Sequence, residues 1–306
     1  MRPRSIHLLL ALFLAAPAPA ATTVKLPPWA CGTGDRILRS GFDGPEFVPS
    51  QPSGGSGSTG TGWQIRQYSL GGLGTGTQTV HLSIPPDYDP RIAWPLVIVL
   101  HGYAGTPVNA DAYARSARNA WESATSAHRP IIAAPVANGP SGSWLNPPAA
   151  GYSDYDFLAA VAQDLPTAYN IDRARMYLWG FSAGGGVAHD LLVNGAVPEL
   201  DENHLAAYSV GSARLYALAC AGQSEAGCQN RLNTQARKLP LDIHLGTTDP
   251  MYGSPYFASQ DPVRFQTAGW VAGDTLNYVT FNGGHTYGVT QVGETWSYLC
   301  RFAVTP

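Results

Sequence analysis

From Trp63 onward the chain is organised as short apolar runs separated by turn residues and by stretches with helical spacing. Gln78 to Ile84 alternates apolar and polar side chains, which predicts an early antiparallel strand. Trp94 to Leu100 (WPLVIVL) is almost continuously apolar, the pattern of a strand covered on both faces in a parallel sheet. Pro130 to Ala134, Arg175 to Trp179, Leu239 to Leu245 and Leu276 to Phe281 predict further buried strands. Between them, Asp154 to Tyr169 carries Phe157, Leu158, Val161 and Leu165 at helical spacing, with Asp154 in the position of an N-cap. Ala183 to Val193 is rich in small and apolar residues and predicts a second helix, and Thr295 to Phe302 a last one. Strands and helices in alternation predict a three-layer α/β architecture with a mostly parallel central sheet and helices on both faces. No internal repeat is present.

The first 62 residues follow different rules. Arg2 and Arg4 precede an apolar run from Ile6 to Ala16, and Ala18 and Ala20 supply an A-x-A site. This predicts a signal peptide over residues 1–20, with Ala21 beginning the exported chain. The run is too short to span a bilayer, no later apolar stretch is long enough, and the residues before Cys31 do not form a lipoprotein processing signal, so no membrane anchor is expected. Residues 21–62 form an N-terminal extension and a Gly/Ser-rich linker; Pro49 to Gly62 reads as flexible. The main domain is expected over residues 63–306.

A chain of 306 residues holds one core of ordinary α/β size. Only 13% of residues are charged and the formal net charge is -3, which leaves no basic stripe for nucleic acid and no polybasic patch for a membrane surface. So few charges suit an exported protein or one that meets neutral substrates; a monomer is expected. The four cysteines, Cys31, Cys220, Cys228 and Cys300, then lie in an oxidising compartment. Cys220 and Cys228 flank a short loop and are the easiest pair to close, which leaves Cys31 with Cys300; three connectivities are possible in principle. In the chain-entropy picture the long Cys31 to Cys300 loop is worth on the order of 4 kcal/mol. A zinc site is the poorer reading of these cysteines, since no CxxC or HxxxH spacing occurs.

The segment Gly180 to Gly184 (GFSAG), between the apolar strand ending at Trp179 and a small-residue helix, has the form of a nucleophile elbow. Gly180 and Gly184 leave room for a sharp turn that lifts the Ser182 hydroxyl above the sheet. A serine hydroxyl is a weak nucleophile and needs an imidazole, which in turn needs a carboxylate to set its tautomer. Of the histidines after Ser182, His285 lies in a Gly-containing loop (FNGGHTY) just past a predicted strand. His189 sits along the helix behind the elbow, and His244 inside a strand, where a structural role is expected. Asp249, in GTTDP after the strand ending at Leu245, is the candidate acid, or alternatively an Asx turn; Asp242 is within a strand, and Asp261 and Asp274 carry turn or cap signals. HGYAG, His101 to Gly105, follows the strand Trp94 to Leu100 and is the candidate oxyanion loop. Its Tyr103 N–H would pair with the N–H of Ala183, and His101 would hold the loop rather than move protons. Trp144 is a candidate apolar wall for an acyl or aromatic group, or else packs its loop, and Tyr287 beside His285 is a second candidate for lining the cleft.

PLVIVLHGYAGTP, SDYDFL, YNIDRARMYLWGFSAGGG, HLGTTDPMYG and FNGGHTY together resemble the secreted polyhydroxybutyrate depolymerase and feruloyl esterase type of α/β-hydrolase over roughly Val80 to Phe302. The resemblance implies the α/β-hydrolase fold, no metal or organic cofactor, and a Ser182, His285, Asp249 triad. It also implies an ester substrate: a polyhydroxyalkanoate-type polyester or oligomer, or feruloyl or acetyl esters of plant polysaccharide. Against the modular members of that group, this sequence shows no appended polymer-binding domain. A serine peptidase on the same scaffold and a non-catalytic binding protein are the competing readings.

Overall fold

The computed structural model describes residues 21–26, 31, 50–55, 60–70, 77–127, 129–145, 153–253 and 258–305. The expected signal peptide at 1–20 lies outside the described residues, as do most of the extension and part of the linker. The elements are β1 (Thr22–Lys25), β2 (Gly62–Tyr68), β3 (Gln78–Ile84), β4 (Trp94–Leu100), α1 (Pro107–Ala124), β5 (Ile131–Pro135), α2 (Asp154–Ala168), β6 (Ile171–Phe181), α3 (Ala183–Asn194), β7 (Ala207–Gly211), α4 (Glu225–Asn233), β8 (Leu241–Gly246), α5 (Asp261–Thr267), β9 (Leu276–Phe281), α6 (Val289–Leu299) and β10 (Phe302–Thr305), with short 3-10 turns between them.

Among the described residues, eight strands form one sheet in the order β2-β3-β5-β4-β6-β7-β8-β9. β2, β3 and β5 pair antiparallel, and every pairing from β5 through β4 to β9 is parallel. Alternation along β4 shows how the sheet is covered: Leu96, Ile98 and Leu100 pack into one core with residues of α2, α3 and α4, while Val97 and Val99 pack into another with α1 and α6. Helices on both faces explain why this strand carries no polar alternation.

Several elements depart from the expected ones. The last helix runs from Val289 to Leu299 instead of Thr295 to Phe302, and the chain then turns into β10, which pairs antiparallel with β1. The apolar residues at the end of the expected helix therefore belong to a strand of a separate two-stranded ribbon. α1 was not predicted because its buried stripe is Ala110, Ala114 and Ala117 with Trp121, and alanines carry little periodic signal. Asp154 is the first residue of α2 and not its cap: Ser153 caps the helix, accepting from the Asp156 N–H while the Asp156 carboxylate accepts from the Ser153 N–H.

Part of the expected linker is packed. Ser53 N–H donates to the Ile171 carbonyl (2.8 Å) and Arg173 N–H to the Gln51 carbonyl (2.9 Å), so Gln51–Ser53 runs along the start of β6. A Cβ on Gly55 would lie 2.3 Å from the Tyr169 carbonyl oxygen. A composition of Ser, Pro and Gly reads as flexible, yet here it supplies backbone groups and a contact without side-chain bulk. The extension is fastened by β1 against β10 and by the disulfide Cys31–Cys300; Cys220–Cys228 closes the shorter loop.

Two predictions follow from these contacts. Replacing Cys31 and Cys300 together with Ser should lower the melting temperature by the equivalent of about 2–4 kcal/mol. It should expose β1 to amide exchange while the amides of β6, β8 and β9 keep their protection, because neither cysteine belongs to an element that carries Ser182, Asp249 or His285. Loss of protection in those strands in the folded variant would contradict this separation. The second concerns His189, which is fully enclosed, stacks on Phe265 and is pushed down to about 3 by burial. It is neutral when folded and takes a proton in the unfolded chain below its ordinary value near 6.5. It therefore withdraws stability as pH falls from about 6.5 toward 3. Urea denaturation of wild type and His189→Phe at pH 7 and pH 5 should show a pH-dependent loss smaller by about 2 kcal/mol in the variant.

Candidate active site

β6 ends at Phe181 and α3 begins at Ala183, so Ser182 alone makes the turn between them, at φ 52° and ψ -115°. A left-handed φ is uncommon for any residue but glycine and persists only where the surroundings force it. Ser182 N–H donates to the Gly211 carbonyl (2.8 Å), and the Ser182 carbonyl accepts from Gly186 N–H (3.0 Å). The flanking glycines are needed as expected: a Cβ on Gly180 would lie 2.3 Å from the Gly184 carbonyl oxygen, and one on Gly184 would lie 2.4 Å from the Leu100 carbonyl oxygen.

The two loops that follow β8 and β9 bring Asp249 and His285 to this serine. Thr247 N–H donates to the Phe281 carbonyl (2.9 Å) and Thr248 N–H to the Gly283 carbonyl (2.9 Å), which joins the loops backbone to backbone. Gly246 permits that approach, since a Cβ there would lie 2.3 Å from the Gly283 carbonyl oxygen. The sequence held the signal as a glycine directly after an apolar strand, but nothing in it named the partner.

The Asp249 side chain is shut off from solvent and splits its two oxygens between two tasks. Oδ1 accepts from Met251 N–H (2.7 Å), closing an Asx turn, and Oδ2 lies 3.0 Å from His285 Nδ1. With Nδ1–H donated to the carboxylate, Nε2 is the acceptor for the Ser182 hydroxyl at 2.8 Å. Sequence reasoning set the Asx turn and the triad role of Asp249 against each other; the geometry contains both contacts. Phe181 lies against the His285 ring (5.0 Å between centroids) and against Tyr287 (4.7 Å), which limits rotation of the imidazole.

Tyr103 and Ala183, the candidate oxyanion donors, follow Gly102 and Ser182 directly in the chain. Neither backbone N–H has an acceptor among the described residues. The loop lies close against Ser182, because a Cβ on Gly102 would stand 3.2 Å from Ser182 Cβ. Ala183 N–H is one of the unsatisfied donors at the start of α3, where the helix dipole favours negative charge.

Trp144 is not a wall of the cleft. It is buried beneath the 101–105 loop, its ring 5.1 Å from that of His101 and its Nε1–H donating to the His101 carbonyl (2.8 Å). The competing expectation, that it packs its loop, describes its position. Tyr287 is partly buried, packs on Trp179 and Phe181, and lines a small cavity with Gly211, His244 and Phe281. Burial brings His101 down to about 4, so it is neutral, and its ring bonds only to the backbone: to the Gly102 carbonyl at 2.7 Å and the Ala137 N–H at 3.1 Å.

Among the described residues, the other histidines that follow Ser182 are bonded or packed elsewhere. His204 pairs with Asp201 at the surface. His244 lies 3.2 Å from Asp242, a fully buried carboxylate that accepts from Ser209, Thr295 and Asn277. That second Ser, His and Asp set is enclosed, and its serine is bonded to the acid instead of to the imidazole. Asp274 pairs with Lys25, and Asp261 with Arg264, so neither competes for His285. Among the described residues no group of three His, Cys, Asp or Glu side chains is placed to hold a metal ion.

No protein-family model matches the sequence, and no curated protein matches it. Solved structures do. A thermostable esterase superposes with a TM-score of 0.55 at 20% identity over 79% of this chain and 63% of that one, so the chain spans less than two thirds of that esterase. A feruloyl esterase module from Clostridium thermocellum, complexed with sinapinate, gives 0.54 at 15% identity over 83% and 94%. A poly(3-hydroxybutyrate) depolymerase from Bordetella parapertussis gives 0.50 at 19% identity over 78% and 89%. At such identities the likeness is one of fold, and together with the mostly parallel sheet and its helices on both faces it establishes that this chain has the α/β-hydrolase fold.

Proposed function

We propose that this chain is a secreted serine esterase that hydrolyses carboxylic esters through an acyl-enzyme. The observation that carries the reading is the hydrogen-bonded series from Ser182 through His285 to Asp249, ending on a serine held at φ 52°. In this mechanism Ser182 Oγ attacks the ester carbonyl carbon as its proton passes to His285 Nε2, and Asp249 stabilises the imidazolium through Nδ1–H. The carbonyl oxygen takes the negative charge and is met by the N–H groups of Tyr103 and Ala183. Collapse expels the alcohol with the proton from Nε2. Water then gives a proton to the same nitrogen, attacks the acyl carbon and releases the acid, restoring the serine.

The proposed substrate is a neutral ester: a polyhydroxyalkanoate-type polyester or oligomer, or a feruloyl or acetyl ester of plant polysaccharide. Support comes from the low charge of the chain, from the half-exposed Tyr103 beside the serine, and from what the fold neighbours are named for. Export is supported by the two disulfides and by the leader-like first residues; among the described residues no helix is long and apolar enough to cross a membrane.

Ser182→Ala should reduce turnover of a p-nitrophenyl ester by about a thousandfold or more without unfolding the protein, with labelling by a fluorophosphonate probe abolished. Retained turnover would remove Ser182 from the mechanism. Asp249→Asn should cost about a thousandfold by favouring the wrong imidazole tautomer, whereas Asp274→Asn should cost little. The anilide matching the ester separates esterase from peptidase: equal turnover of both would overturn the ester assignment. Product analysis on polyhydroxybutyrate, feruloylated arabinoxylan and acetylated xylan in parallel names the acyl and alcohol sides.

A further inference from the structure

The loop that carries Tyr103 does not hold itself. Segment 137–145, after β5, grips it at three points: Ala137 N–H donates to His101 Nε2 (3.1 Å), Trp144 Nε1–H to the His101 carbonyl (2.8 Å), and Ala104 N–H to the Gly142 carbonyl (3.1 Å). With Nε2 accepting, the single ring proton of neutral His101 is on Nδ1, where it is donated to the Gly102 carbonyl (2.7 Å). A trans peptide directs its C=O and N–H to opposite sides. Holding the Gly102 carbonyl toward His101 therefore turns the N–H of the same peptide, that of Tyr103, the other way.

Segment 138–145 has little internal structure, with Gly139 N–H to Ser143 and Gly142 N–H to Gly139 as its own backbone bonds. Both of its ends are fastened to one side chain. Asp154, with no exposed surface, accepts from Asn138 N–H (3.1 Å), from Asn138 Nδ2 (2.6 Å) and from Leu145 N–H (2.7 Å), and its own N–H donates to the Leu145 carbonyl (2.7 Å). Every group facing the carboxylate is a donor, which favours the ionised form against the rise that burial gives its pKa. An asparagine would turn an NH2 against an N–H.

We propose that Asp154 is a positioning residue for the oxyanion site: by pinning Asn138 and Leu145 it holds Gly142 and Trp144 against the 101–105 loop and so sets the direction of the Tyr103 N–H. Asp154 reaches the reaction through two intervening layers and touches no substrate. The inference rests on the proposed esterase mechanism, in which Tyr103 N–H meets the oxyanion.

The test uses the full chain carrying Asp154→Asn and, separately, Trp144→Phe, which removes one N–H and keeps an aromatic ring. End-point titration with a fluorophosphonate counts competent sites. Per titrated site, one measures kcat and KM on a p-nitrophenyl ester and the inhibition constant of an alkyl trifluoromethyl ketone, whose adduct with Ser182 carries an oxyanion. Asp154→Asn should lower kcat by about tenfold or more, short of the roughly 10²–10³ lost with an oxyanion donor itself. It should weaken the ketone by a similar factor while KM moves by less than about threefold. Trp144→Phe should shift the same two quantities by less, and the double variant should fall short of the product of the singles. A purely structural role would lower the titratable fraction or the melting temperature and leave kcat and the ketone constant per site unchanged; that result, in either variant, overturns the proposal. If Asp154→Asn does not fold, Trp144→Phe decides alone. Failure of the wild-type protein to be labelled at Ser182 or inhibited by the ketone would instead overturn the esterase mechanism, and the positioning role with it.

Discussion

A serine forced to φ 52° at the junction of β6 and α3 is the steric constraint around which the C-terminal edge of the sheet is arranged. Such a conformation costs on the order of 1–3 kcal/mol and survives only when neighbouring contacts over-determine it. Here they do. The serine N–H is bonded to β7, its carbonyl to the first turn of α3, and the glycines on either side allow backbone to touch backbone where any Cβ would collide. The turn leaves the N–H of Ala183 without an acceptor and directs the hydroxyl away from the helix it precedes. Both consequences are what a nucleophile with an adjacent anion site requires.

Parallel strands deliver the remaining groups to the same edge. The loops after β4, β8 and β9 all leave the sheet on the side where β6 turns, and each is tied to a neighbour by main-chain bonds: the 101–105 loop to segment 137–145, and the acid loop to the histidine loop across Gly246 and Gly283. Distances of 2.8 Å and 3.0 Å between side chains more than thirty residues apart in sequence are set by these backbone ties. The N-terminal extension is attached elsewhere: β1 and β10 pack on Ala174, near the beginning of β6 and away from the serine at its end. Its role in stability is thereby separated from the chemistry.

Buried polar groups divide into those that hold and those that are held. Asp242 and Asp154 are both fully enclosed carboxylates surrounded by donors: Asp242 ties β7 and β9 to α6, and Asp154 ties together the two ends of segment 138–145. Removing a partner from such a set leaves a desolvated charge, so their cost is high and their geometry narrow. That narrowness suits a part of the fold which must set the direction of one N–H.

The sequence by itself determined the layered α/β class, the bounds of β3, β4 and β9, and the members of the Ser182, His285, Asp249 series. Continuous apolar runs, glycine-flanked turns and strand-end loops are local patterns, and local patterns survive in one dimension. It also pointed to both cysteine pairs, since one was short and the other was what remained. What it could not carry was anything that depended on who lies opposite. Helix α1 hides behind an alanine stripe, β10 reads as more helix until β1 is there to pair with it, and Pro52 to Gly55 reads as linker until Tyr169 and Ile171 lie against it. Asp154 has the sequence position of a cap, and Trp144 that of a cleft wall; only the packed loops, by filling their hydrogen bonds from residues far along the chain, decided that both lie beneath the site.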